Sequence, residues 1–136
     1  MTRGDLQKLA AIRLKEAKLL LAANAPDGAY YLAGYAVECA LKACIAKTTV
    51  RYDFPDLERA RGSYTHDAKK LIGVAGLRSA FDVAMRQSEF SWRWEIAIKW
   101  NEESRYGGHS TQEASDLIEA IENRKHGILQ WLRRHY

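Results

Sequence analysis

The chain has 136 residues, of which 47% are hydrophobic and 28% are charged, and its formal net charge at pH 7 is +4. This length and composition predict one globular domain over residues 1–136 and exclude a disordered or fibrous chain. The small positive excess permits an anionic partner, but dedicated nucleic-acid-binding proteins usually concentrate many more basic residues on one face.

The two cysteines and the N-terminal sequence indicate a cytoplasmic protein. Cys39 and Cys44 are five positions apart in a helical pattern, so their side chains point in different directions and are expected to be buried free thiols. No CxxC motif or Cys/His cluster predicts a metal site, and no cofactor is expected. The N-terminus has no apolar signal core, and the apolar run 29–46 contains Glu38 and Lys42, so no membrane span is predicted.

The first third of the chain predicts two long helices. Apolar residues recur at helical spacing from about Asp5 to Asn24. A second helix over Asp27–Lys47 follows after a break of a few residues, which makes the two helices antiparallel neighbours. This second helix is apolar almost all round, so it should be buried on most sides, and Gly34 within it indicates a closely packed neighbour.

The middle of the chain predicts short helices between polar segments. Residues 48–64 are polar and irregular, with room for one helical turn. Thr65 is the expected N-cap of a helix over His66–Val74, which Gly76 ends. A further short helix is expected over about Leu77–Met85.

The segment Phe90–Trp100 fits two periods. Apolar and polar residues alternate strictly, as in a half-buried strand, yet Trp92, Ile96 and Trp100 also form one stripe of a helix. A lone strand would have nothing to pair with in an otherwise helical chain, so we expect a helix. Its aromatic residues are more typical of a core or a dimer interface than of a base-stacking surface.

The last predicted element is a long helix that follows a loop over residues 101–108. Ser110 and Glu113 form a capping-box pattern, and the helix is expected to run to about Arg134. Acidic residues occupy its first half, and its second half contains the basic residues Arg124, Lys125, Arg133 and Arg134. This order fits the helix macrodipole better than a phosphate site. Together the elements predict an all-α fold, an antiparallel bundle of about five helices.

Three segments resemble the HEPN family (higher eukaryotes and prokaryotes nucleotide-binding domain). They are GAYYLAGYAVECALKACIAK, YTHDAKKL and WNEESRY, in this order before the final helix. The resemblance covers nearly the whole chain and implies antiparallel helices that assemble as a homodimer. It also implies a role with RNA or nucleotides. Many members are metal-independent ribonucleases that act as toxins or in defence, and others are partners of a nucleotidyltransferase.

The resemblance also implies catalytic candidates. Catalytic members carry an Arg and a His, and the His moves a proton at the 2′-hydroxyl while the Arg stabilises phosphorane charge. Here Arg105 and His109 are separated by only three residues, which is shorter than the family's spacing. The expected function is therefore a module that binds RNA, a nucleotide or a partner protein, as one half of a toxin–antitoxin or nucleotidyltransferase-paired system. Two alternatives are an endoribonuclease that uses Arg105 and His109, assisted by Tyr106 or His66, and a purely structural dimerisation domain.

Four further residues complete the candidate binding site. Glu38 and Lys42 are spaced for an ion pair within one helix, and Glu38 could also orient Arg105 or His66. His66 is a candidate for proton transfer, although a neighbouring helix cap would explain its position equally well. Tyr106 lies with Arg105 in the connector before the last helix, where an anion could bind.

Overall fold

The structure is a computed structural model that describes residues 1–49 and 57–136. Within these ranges the chain is all-helical, as predicted, and contains no β-strand. In chain order the elements are α1 (Arg3–Ala22), α2 (Pro26–Lys47), α3 (Leu57–Ser63), α4 (Ala68–Val74), α5 (Arg78–Met85), α6 (Ser88–Ala97), the 3-10 helix η1 (Glu102–Tyr106), α7 (Thr111–Glu122) and α8 (Ile128–Arg133). The described residues thus form more helices than the five expected, and none of them combines the length and apolarity needed to cross a bilayer.

The first two helices form a helical hairpin. Asn24 ends the first helix with a φ of 63°, and Pro26 at the first position of α2 sets its backbone for a new helix. A Cβ added to Gly28 would lie 3.1 Å from Leu20 Cδ1, so the chains cross closely beside the turn. The pair α1 and α2 makes the most extensive helix–helix contact in the described part of the chain. The prediction that the first two helices are neighbours is confirmed.

Helix α2 lies at the centre of the core. It contacts α1, α4, α7, α8 and η1, and its buried residues lie on every face, as its apolar sequence predicts. Gly34 is closely covered by the ring of Trp100, whose Nε1 donates to the carbonyl of Tyr31 at 3.2 Å. Cys39 and Cys44 are buried free thiols, and burial raises the pKa of each to about 11.

The final helix is broken, so the prediction of one helix running to Arg134 is wrong. The side chain of Asn123 accepts the N–H groups of Lys125 and His126 at 3.1 and 2.9 Å. This local turn competes with helical hydrogen bonding, which is why Asn often interrupts a helix. At Gly127 the chain passes so close to itself that an added Cβ would lie 2.5 Å from the Asn123 carbonyl oxygen.

The start of α4 also differs from the prediction. Thr65 was the expected cap of a helix beginning at His66, but Asp67 is the cap. Its Oδ1 accepts the backbone N–H groups of Lys69 and Lys70 at 3.0 and 3.3 Å, which satisfies two free donors of the first turn. His66 consequently lies in the segment before the helix.

The remaining predictions agree with the structure only in part. Gly76, with a φ of 72°, follows the end of α4, and α5 and α6 lie where short helices were expected, although α6 begins at Ser88 and ends at Ala97. The prediction of a loop over residues 101–108 is wrong for residues 102–106, which form η1. The predicted irregular segment 48–64 contains α3, and residues 50–56 lie outside the described residues. As a helix, α6 buries Phe90 and Trp94 in a cluster with Phe81 and Trp131, whereas Trp92 is 43% exposed.

Replacing Gly34 with Ala should destabilise the fold by about 1–3 kcal/mol, the usual cost of overpacking, because the new methyl would overlap the Trp100 ring. Urea denaturation would measure this change. Gly73→Ala is the matched control, since an added Cβ there meets only Arg78 Nη2 at 4.0 Å. The control should stabilise α4 by about 0.5–1 kcal/mol. Equal effects of the two substitutions would contradict close packing at Gly34.

Candidate functional site

A buried carboxylate, Glu38, anchors the candidate site. Its side chain is 4% exposed, and its Oε1 accepts a hydrogen bond from Lys42 Nζ at 2.8 Å. The same oxygen lies 2.8 Å from Nδ1 of His66. The expected Glu38–Lys42 pair is therefore present, and of the two proposed targets of Glu38 the structure places His66 beside it. Within the described residues, Glu38 Oε2 is buried and has no hydrogen-bond partner.

His66 bridges two carboxylates from different parts of the chain. Its Nδ1 faces Glu38, and its Nε2 lies 2.9 Å from Glu102 Oε2 on η1. A neutral imidazole carries one N–H, so both contacts are hydrogen bonds only when a second proton is on the ring or on a carboxylate. The Asn101 cap fixes the start of η1 and thereby the position of Glu102. His66 thus links α2 to η1 through side chains alone.

An open cleft of about 420 Å³ lies in front of His66. Its walls combine an aromatic ring, a cation, two carboxylates and hydrogen-bonding groups, contributed by Thr65, His66, Asp67, Ala68, Lys69, Ile98, Trp100, Asn101 and Glu102. Behind it, a cavity of about 20 Å³ is bordered by Glu38, Trp94 and Trp100 and has room for about one water molecule. Four residues border both spaces, namely His66, Ala68, Ile98 and Trp100.

Arg105 and Tyr106 lie at the exposed end of η1. The Arg105 guanidinium lies 4.8 Å from the centroid of the Tyr106 ring, and Tyr106 is 79% exposed. In a 3-10 helix residues i and i+3 share a face, so Arg105 lies on the same side of η1 as Glu102. Among residues 1–49 and 57–136, no carboxylate forms an ion pair with Arg105.

His109 is held away from this cleft by its own contacts. Its ring stacks on Tyr30 with centroids 3.8 Å apart, its backbone N–H donates to Asp27 at 2.6 Å, and its Nδ1 lies 3.4 Å from Glu113. Hydrogen bonds from the Ser110 backbone and from the His109 side chain hold the pKa of Glu113 below its ordinary value. The His109 side chain is 14% exposed and is not among the residues that line the cleft. Its contacts fasten the connector to α2 and α7.

The structure therefore divides the predicted site residues into two groups. Glu38, Lys42 and His66 meet in one network, with Arg105 on an adjoining face, whereas His109 belongs to a separate stack. The sequence does not reveal the positions of Glu102 and Trp100 in the cleft. Their contacts with His66 and Tyr31 join residues far apart in the chain, which no local pattern can show. In the described ranges, no group of three His, Cys, Asp or Glu side chains is arranged to hold a metal ion.

Comparison with known proteins gives no relative for this chain: no family model, curated protein or solved structure matches it.

The two carboxylates that face His66 should differ sharply in their effect on stability. Glu38→Ala should lower the free energy of unfolding by about 1–3 kcal/mol, because it removes a buried acceptor shared by two partners. Glu102→Ala should change it by less than about 1 kcal/mol, since Glu102 is 54% exposed and its ion pair is solvated. Chemical denaturation at constant pH measures both. A larger loss for Glu102→Ala than for Glu38→Ala would contradict the anchor role of Glu38.

Proposed function

We propose that this chain is a HEPN-like module that binds single-stranded RNA or a nucleotide, with one base in the cleft in front of His66. The observation that supports this best is the exposed carboxylate of Glu102, which lines an open cleft together with the Trp100 indole and contacts His66. Sequence-selective RNA recognition uses unstacked bases that lie on aromatic side chains and are hydrogen-bonded along their edges. The cleft offers both kinds of contact.

The base would be bound by exchange of one hydrogen bond for another. Glu102 is half exposed, so its carboxylate can leave His66 and accept from a base N–H group instead. His66 stays oriented because Glu38 still holds its Nδ1. The ring nitrogen released by Glu102 then faces the cleft as a second hydrogen-bonding group, while Trp100 supplies the stacking surface.

The phosphate backbone would follow the outer face of η1. Arg105 has a guanidinium that no described carboxylate pairs with, and Lys69 lines the same cleft. Cations of this kind attract phosphates in a salt-dependent way. The exposed ring of Tyr106 beside Arg105 offers a stacking surface for a second base.

The assembly implied by the resemblance is part of the same proposal. A homodimer or a complex with a nucleotidyltransferase needs an exposed surface with aromatic character, and Trp92 is 43% exposed with the Arg93 guanidinium 4.2 Å from its ring centroid. This observation equally favours a purely structural dimer. If Trp92→Ala abolished dimerisation and the protein bound no RNA, the structural alternative would be preferred.

Labelled single-stranded RNA should bind the purified chain, and binding should weaken in variants of the exposed end of η1, beside the cleft. Tyr106→Ala should raise the Kd by about tenfold, since loss of one stacked base costs about 1–3 kcal/mol. Arg105→Ala should reduce the dependence of log K on log salt by about 0.7, the value for one phosphate on a single strand. Fluorescence anisotropy at several salt concentrations measures both.

Arg86→Ala is the matched control for this experiment, because Arg86 is exposed and lies at the end of α5. It should leave Kd and salt dependence nearly unchanged. If Arg86→Ala and Arg105→Ala weakened binding equally, the interaction would be with net charge rather than with the cleft.

A ribonuclease remains the second candidate, because Arg105 and His109 occupy one short connector. Because the ring of His109 is stacked and largely buried, its contacts favour RNA binding over RNA cleavage. Incubation of the same RNA with the chain in EDTA decides between the two. Cleavage that disappears in both Arg105→Ala and His109→Ala would establish the catalytic alternative, and intact RNA would exclude it.

A further inference from the structure

A second concave surface lies on the opposite end of α6 from the cleft. It is a groove of about 170 Å³ between α5, the start of α6, the turn after α7, and α8. Phe90 and Trp131, both largely buried, lie at its base with centroids 5.4 Å apart and ring planes inclined by 55°, and Val83 and Ala84 form an apolar wall. None of these residues takes part in the site proposed above.

The rim of this groove is cationic. Lys125 and Arg134 line it together with His126, and no acidic residue among the described residues lines it. Neither Lys125 nor Arg134 forms an ion pair within the described part of the chain. Burial lowers the pKa of the nearby His135, and the charges of Lys47 and Arg134 lower it further.

The helix break changes how the basic residues relate to the helix ends. The sequence suggested that basic residues here complete the C-terminal half of one long helix, but α7 ends before Lys125 and the residue lies in the turn held by Asn123. Lys125 thus lies just beyond the C-terminus of α7, and Arg134 caps the C-terminus of α8, where the macrodipole favours a cation. The turn carries Lys125 and His126 to the groove, where α8 adds Arg134.

We propose that this groove binds a small aromatic anion, one flat ring that carries a carboxylate, sulfonate or phosphate. The ring contacts Phe90 and Trp131, and the acidic group lies at the rim beside Lys125 and Arg134. The groove, of about 170 Å³, has room for one ring and opens to solvent at its rim. Its aromatic and apolar lining favours a ring, and its cationic rim favours an anion.

Titration of the full, isotopically labelled chain with benzoate tests this inference by NMR. Benzoate should shift the backbone amides of residues 124–127 and 131–135 more than acetate or benzyl alcohol does at the same concentration, because acetate lacks the ring and benzyl alcohol lacks the charge. Bound benzoate should also raise the pKa of His135 towards its ordinary value, since an anion beside Arg134 offsets the positive potential.

Variants locate the binding site. Arg134→Gln and Lys125→Gln should each weaken benzoate binding by about two- to fivefold, the range for one exposed charge pair. Ala84→Phe should abolish binding by filling the groove, while Lys69→Gln at the other cleft should leave it unchanged. If benzoate bound no better than acetate and benzyl alcohol, or if Lys69→Gln weakened it as much as Arg134→Gln, the inference would be overturned. RNA is absent from this experiment, so its result is independent of the proposed RNA-binding function.

Discussion

The burial of one carboxylate within an apolar helix is the constraint on which the rest of the candidate site depends. Within α2, which the structure describes throughout, Glu38 is the one charged residue among the buried positions. A buried carboxylate needs partners, because desolvation without compensating hydrogen bonds is costly. Lys42 supplies one from the next turn of the same helix, and His66 supplies the other from a distant segment. The need to satisfy Glu38 therefore holds His66 against the core.

Much of the fold could be predicted from the sequence because its causes are local. Helical periodicity located α1, α2, α5 and α6, and the Ser110–Glu113 capping box located the start of α7. Two of the errors have a common origin in short polar side chains that bind the backbone. Asn123 stops a helix whose apolar period continues beyond it, and Asp67 caps a helix in place of Thr65. Periodicity does not register such competition, because it averages over a window longer than one turn.

The candidate site could be predicted only in part, for a different reason. The Glu38–Lys42 pair follows from helical spacing. The contacts of His66 with Glu38 and Glu102, however, depend on how η1 and the segment before α4 pack against α2. Proximity in sequence was misleading for Arg105 and His109. They lie in one connector, yet the stack of His109 on Tyr30 turns its ring towards α2, while Arg105 stays on the exposed face of η1. Side-chain contacts made by each residue decide which of them face the same space.

The same aromatic cluster supports both concave surfaces, which lie at opposite ends of α6. Phe90 near its start lies at the base of the groove, and Ile98 just after its end lines the cleft, so about 12 Å of helix separates the two. Trp94 between them is buried against Phe81 and also borders the small cavity behind the cleft. A close-packed cluster of this kind resists deformation. The two surfaces share no lining residue, so a ligand in the groove contacts none of the residues that line the cleft.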